Sequence, residues 1–212
     1  MIIPAILEKN FSDFADKAKK LFFAPLIQID IMDGEFVAGK TFEEIEKINS
    51  LDLKNEWELH LMVNHPIKEI AKWKIVKNIK RVIFHIESED NPQEVIKTIK
   101  TNNYEVGIAL NPETNKLDIL PYLSDIDEIL FMTVHPGVQG APFVSEVQDN
   151  IIELRKLLEV KEKDMLIAVD GAVNKNNIQE IKKRGVDNFC VGSAIVGTDD
   201  YKKAYEELND LI

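Results

Sequence analysis

The sequence predicts an α/β fold, a single (β/α)8 TIM barrel spanning residues 1–212, and three observations carry that expectation. Short β-branched runs alternate with longer amphipathic stretches from end to end, about eight times over, as repeated strand and helix units require. A length of 212 residues lies near the lower end of the range in which such a barrel closes. Periodicity alone does not separate a barrel from an open doubly wound sheet. Polar residues inside the strands favour the barrel, because they give several strands a common polar face.

In chain order the strands are 2–7 (IIPAIL), 26–32 (LIQIDIM), 57–63 (WELHLMV), 80–86 (KRVIFHI), 105–110 (EVGIAL), 128–134 (EILFMTV), 165–170 (MLIAVD) and 188–191 (NFCV). Helix-like stretches fall at 11–23, 41–50, 66–77, 92–102, 144–159, 175–184 and 200–210. Ser12 and Asp13 before an apolar-periodic run, and Pro92 after Asn91, read as helix starts. Residues 114–123 support a short helix at best, since Pro121 interrupts them. No low-complexity linker or charge block divides the chain.

Strand alternation sorts the side chains. Ile27, Ile29 and Ile31 share the face expected to meet helices, which leaves Gln28, Asp30 and Met32 pointing into the barrel. Glu58, His60 and Met62 share one parity in the next strand, and Asp170 closes the seventh. A carboxylate buried without a partner is costly, so these groups are candidates for a shared site. They lie near strand ends, which places them at the C-terminal mouth where barrels carry their chemistry.

The composition, 45% hydrophobic and 30% charged, is that of a globular protein with a substantial core. A net charge of -11 argues against nucleic acid or an anionic membrane as partner. The lone Cys190 excludes an intrachain disulfide. The start MIIPAILEKNF has no basic n-region ahead of a long apolar run, and no stretch approaches membrane-spanning length. A cytoplasmic protein is expected.

The segments PAILEKNF, QIDIMDGEFV, LHLMVNHP, IALNPET, FMTVHPGVQGAPF, VDGAV and VGSAIVG resemble, in order and spacing, the signature segments of the ribulose-phosphate 3-epimerase family, over essentially the whole chain. That resemblance implies an isomerase of carbohydrate metabolism, in the pentose phosphate pathway, that interconverts D-ribulose 5-phosphate and D-xylulose 5-phosphate through an enediolate. It implies Asp30 and Asp170 as the acid–base pair and, with His60, as ligands of a divalent cation such as Zn, Fe, Mn or Co. It also implies Met32, Met62 and Met132 as an apolar floor beneath the substrate, and a homo-oligomer.

The chain departs from the family pattern near the expected substrate. Gln28 stands where the family has a metal-binding histidine, and an amide oxygen is a harder and weaker ligand than imidazole. Either Gln28 supplies an oxygen to the metal, or the metal is lost and Gln28 donates a hydrogen bond to the enediolate. Glu8 replaces a substrate-facing serine, Ala38 and Gly39 replace Pro-Asn, and His135 replaces an asparagine. Other readings are an epimerase for a hexulose 6-phosphate, given room by Ala38 and Gly39, and a catalytically weakened sugar-phosphate-binding barrel. Retention of both aspartates argues against the latter.

A phosphate group is expected to meet backbone N–H groups at loops and a short helix start. The candidates are Gly137, Val138, Gln139, Gly140 and Ala141, then Gly171 and Ala172, then Gly192 and Ser193. The last two groups follow the seventh and eighth strands, where barrels commonly bind phosphate. His65 reads as a helix-start or surface residue and His85 as a hydrogen-bonded core histidine. His135 either reaches substrate or shapes its loop.

Overall fold

The computed structural model describes residues 1–137, 140–161 and 164–212. Its strands are β1 (Ile2–Ile6), β2 (Leu26–Met32), β3 (Glu56–Met62), β4 (Ile79–His85), β5 (Glu105–Leu110), β6 (Glu128–Met132), β7 (Leu166–Asp170) and β8 (Asn188–Val191). Each pairs in parallel with its neighbours in chain order, and β8 pairs with β1, so the sheet closes. The α-helices among the described residues are α1 (Phe11–Lys20), α2 (Pro66–Trp73), α3 (Pro92–Thr101), α4 (Val147–Val160), α5 (Ile178–Lys183), α6 (Ser193–Val196) and α7 (Tyr201–Asn209). The fold is a TIM barrel. No helix among the described residues is long and apolar enough to cross a membrane.

Several boundaries differ from the sequence reading for local reasons. The first helix is capped by Asn10, not started by Ser12 and Asp13: Asn10 is extended and its side-chain oxygen accepts from the Asp13 N–H at 3.0 Å. Residues 41–50 form no α-helix; a 3-10 segment covers Ile45–Leu51 and stops at Asp52, whose φ of 48° is left-handed. The segment around Pro121 is likewise 3-10, over Lys116–Tyr122. At α5 the start moves later, because Asn177 turns back to accept from the Asn174 N–H at 2.8 Å. Asn91 does cap α3, with Pro92 in its first turn.

Strand alternation builds two apolar regions. Ile27, Ile29 and Ile31 lie in the larger one, between sheet and helices. Inside the barrel, Ile3, Leu26, Ile83, Leu130, Ala168 and Cys190 form a second. Gly107 is needed there, since a Cβ on it would fall 2.6 Å from Ile83 Cγ1.

The interior also holds ions. Arg81 is buried and reaches Glu58 at 2.7 Å, Glu128 at 2.8 Å and the half-exposed Glu105 at 2.8 Å. Asn188 donates to Glu128 as well. Two fully buried carboxylates thus share one guanidinium. Burial and the neighbouring Glu128 carboxylate push the Glu58 carboxyl up to about 8, against the opposing pull of Arg81. This layer is the barrel's lower filling; the candidate site sits above it, sharing β3 with it and drawing its aspartates from β2 and β7.

Candidate active site

The β2–β3 register sets Gln28 beside Glu58, Asp30 beside His60 and Met32 beside Met62. Polar pairs therefore rise through the interior toward the C-terminal mouth. From β7, Asp170 ends its strand beside Met132 of β6 and Cys190 of β8. The closed sheet brings the two aspartates together from separate strands.

They meet around two polar side chains. His60 Nδ1 lies 2.9 Å from Asp30 Oδ1 and 3.3 Å from Asp170 Oδ2. Gln28 Nε2 lies 2.8 Å from the same Asp30 oxygen and 2.7 Å from the same Asp170 oxygen. Gln28 and His60 are fully buried, and Asp30 nearly so. Burial and the Asp170 carboxylate raise the Asp30 carboxyl, partly offset by the His60 bond. Burial alone would lower the His60 imidazole, but its bonds to Asp170 and Asp30 outweigh that and raise it to about 10.

Asp30, His60 and Asp170 each offer one ligand atom, and these atoms lie within 4.8 Å of one another. Two carboxylate oxygens and an imidazole nitrogen suit a divalent cation of the Zn, Fe, Mn or Co kind. Gln28 fits as a fourth ligand only through its oxygen. That atom, Oε1, is buried without a hydrogen-bond partner among the described residues, while the amide nitrogen bridges the carboxylates. Turning the amide over would set Oε1 against two carboxylate oxygens, an arrangement that repels unless a cation or proton lies between them.

Above this cluster a cavity opens, lined by Asp30, His60, Met62, Met132 and Asp170 at its floor and by Gly137, Gly140, Ala141, Gly171, Ala172, Gly192 and Ser193 around its rim. Val138 and Gln139 lie outside the described residues. Two of the rim glycines are forced by their surroundings. A Cβ on Gly171, whose φ is +119°, would fall 2.5 Å from Val134 Cγ2, and one on Gly137, at φ +92°, would fall 2.7 Å from Val37 Cβ. Ala172 also holds a left-handed φ of 52°. Thr133 steadies the end of β7, its N–H donating to the Asp170 carbonyl at 2.7 Å.

Some expected residues lie elsewhere. Gln28 turns its amide to the carboxylates from below and does not line the cavity. Met32 lines a different cleft, with Asp33 and Thr41. Glu8 pairs with Lys17, and Ala5 and Leu7 form that wall. His135 is exposed and bonded to Glu113 at 2.6 Å. Ala38 and Gly39 are exposed in the loop after β2. His65, by contrast, precedes α2 at the helix start expected of it and contacts Asp90 at 3.2 Å.

His85 is the hydrogen-bonded core histidine expected of it, and it also touches the site. It is fully buried, as a core histidine should be, yet its Nε2 lies 3.0 Å from His60 Nε2. Its position in β4, with the same inward parity as Arg81 and Ile83, was the available signal.

The closed parallel barrel, with carboxylates and an imidazole converging at its C-terminal mouth, defines a βα-barrel of the kind that carries its chemistry at that end. Comparison with known proteins narrows this. Residues 1–196 match the profile of the Ribulose-phosphate 3 epimerase family. The chain is 32% identical over 208 residues to ribulose-phosphate 3-epimerase of Mycobacterium tuberculosis, covering 94% of this chain and 87% of that protein. It is 31% identical over 213 residues to the Escherichia coli ribulose-phosphate 3-epimerase, covering 98% and 94%. Among solved structures, orotidine 5'-phosphate decarboxylase from Pyrococcus horikoshii superposes with a TM-score of 0.67 at 16% identity, covering 100% of this chain and 99% of that one, a likeness of fold. The chain belongs to the ribulose-phosphate 3-epimerase family.

Proposed function

We propose that this protein interconverts D-ribulose 5-phosphate and D-xylulose 5-phosphate by moving the proton on C3. The observation that carries the proposal is the convergence of Asp30 and Asp170, from β2 and β7, on one cavity with His60 between them. A proton beside a ketone is weakly acidic, so its removal needs a placed base and relief of the negative charge that grows on the ketone oxygen. One aspartate, ionised, takes the C3 proton and leaves a planar enediolate. The other, carrying a proton, returns one to C3 from the opposite face, and the configuration inverts. The reverse reaction exchanges their roles.

Gln28 and His60 hold the two carboxylate oxygens in a shared arrangement through N–H contacts, which keeps both groups directed at the cavity. Met62 and Met132 provide an apolar bed for the carbon chain. Backbone N–H groups around Gly171 and Ala172, Gly192 and Ser193, and Gly140 and Ala141 would receive the phosphate, which explains how an acidic protein takes an anion. A divalent cation held by Asp30, His60 and Asp170 would act as a Lewis acid on the ketone and its neighbouring hydroxyl.

The test is incubation with ribulose 5-phosphate in deuterated water, following xylulose 5-phosphate and deuterium at C3. Both should appear together. A folded protein that, with metal supplied, gives neither product nor exchange would refute the proposal.

A further inference from the structure

Behind His60 lies a chain of hydrogen bonds that ends on backbone. His60 Nε2 is 3.0 Å from His85 Nε2, and the rings stand nearly parallel with centroids 5.1 Å apart. His85 Nδ1 is 3.2 Å from Glu87 Oε2. The other Glu87 oxygen accepts from the Asn111 N–H at 2.8 Å and from the Thr114 hydroxyl. Phe36, from the loop after β2, covers the His85 ring with centroids 4.8 Å apart.

The chain has a direction. A carboxylate only accepts, so the bond to Glu87 requires a proton on His85 Nδ1. A neutral ring protonated there presents a lone pair at Nε2, and the 3.0 Å contact then requires the proton to sit on His60 Nε2. We infer that His85, oriented by Glu87, is a positioning residue that accepts the His60 Nε2–H and so leaves His60 Nδ1 to face Asp30 and Asp170, donating to them until a cation takes the place of that proton. The inference rests on the reading of His60 as a site residue given above. The opposite polarity would leave a neutral His60 with its proton on Nδ1, where it could hydrogen-bond the aspartates but not ligate a cation. A histidine that only filled space would need neither the anchored carboxylate behind it nor the imidazole in front.

The test uses the full chain with 15N-labelled histidine rings; with four histidines, each is assigned by single substitution. The parent should show His85 protonated at Nδ1 and bare at Nε2. Glu87→Gln should abolish that preference, weaken zinc binding by about 10–100-fold in a chelator competition, and lower kcat with KM little changed. The thermal unfolding of its metal-free form should match the parent. Thr114→Val removes one donor to Glu87 and should move the same quantities less far; it decides the matter if Glu87→Gln does not fold. Ring shifts placing the parent His85 proton on Nε2, or parent-like shifts in Glu87→Gln, would overturn the inference. If the parent takes up no zinc, the metal reading of the site fails, while the ring shifts still decide this one.

Discussion

Glu58→Gln should change how stability depends on pH, in a direction the buried ion layer dictates. In the folded protein the Glu58 carboxyl is pushed from 4.5 up to about 8 by burial and by Glu128, despite Arg81. Between about pH 4.5 and 8 the folded state keeps this proton and the unfolded chain has released it, so parent stability falls as pH rises. The slope from this group is about 1.4 kcal/mol per pH unit, with an upper bound of about 4–5 kcal/mol across the window. Glutamine retains the shape and an oxygen for Arg81, leaves Arg81 paired with Glu128 and Glu105, and has no proton to lose. Relative to the parent, the variant should therefore gain stability steadily from pH 5 to 8. Urea unfolding followed by the fluorescence of the buried Trp57 and Trp73 measures this at each pH. A difference between the two proteins that stays flat across that range would refute the reasoning, whatever the sign of the offset.

Asp30→Asn and Asp170→Asn should each lower epimerisation by about 10²–10⁴-fold or more, because each removes an acid–base group; deuterium exchange at C3 reads the loss, and near-parent exchange would exclude the residue from that role. Gln28→His should tighten zinc binding in a chelator competition, since imidazole replaces an amide beside Asp30 and Asp170; unchanged affinity would mean that position 28 is not a ligand site. Gly171→Ala should cost about 1–3 kcal/mol and raise KM, because its Cβ would meet Val134 and its φ is left-handed. Thermal unfolding at the parent temperature would show that the loop yields without cost.

The barrel was legible because β2 announces its two faces: isoleucines at 27, 29 and 31 demand one apolar neighbour, and Gln28 and Asp30 cannot share it. Asp30, His60 and Asp170 could be grouped on the same logic, since inward parity and nearness to strand ends are local properties. What could not be read was relative orientation across the barrel. That Gln28 would bond both aspartates depends on how far β2 and β7 are brought together by closure. Glu8 faced Lys17 for a similar reason, because the direction of a residue just beyond a strand is set by its helix neighbours and not by strand alternation. The ion layer of Glu58, Arg81 and Glu128 was hidden because its members come from three strands and look, one at a time, like ordinary charged residues.

The alternation in β2 also has a consequence for folding fidelity. A slip of one residue against β3 would turn Gln28 and Asp30 outward into the greasy layer under the helices and bring Ile29 and Ile31 into the mouth. Such a frame would lose its apolar packing and strand an unpaired carboxylate at once, a penalty of several kcal/mol. Misaligned chains would therefore be rejected by the same forces that make the barrel compact, and no separate check is needed to deliver Asp30 to its place.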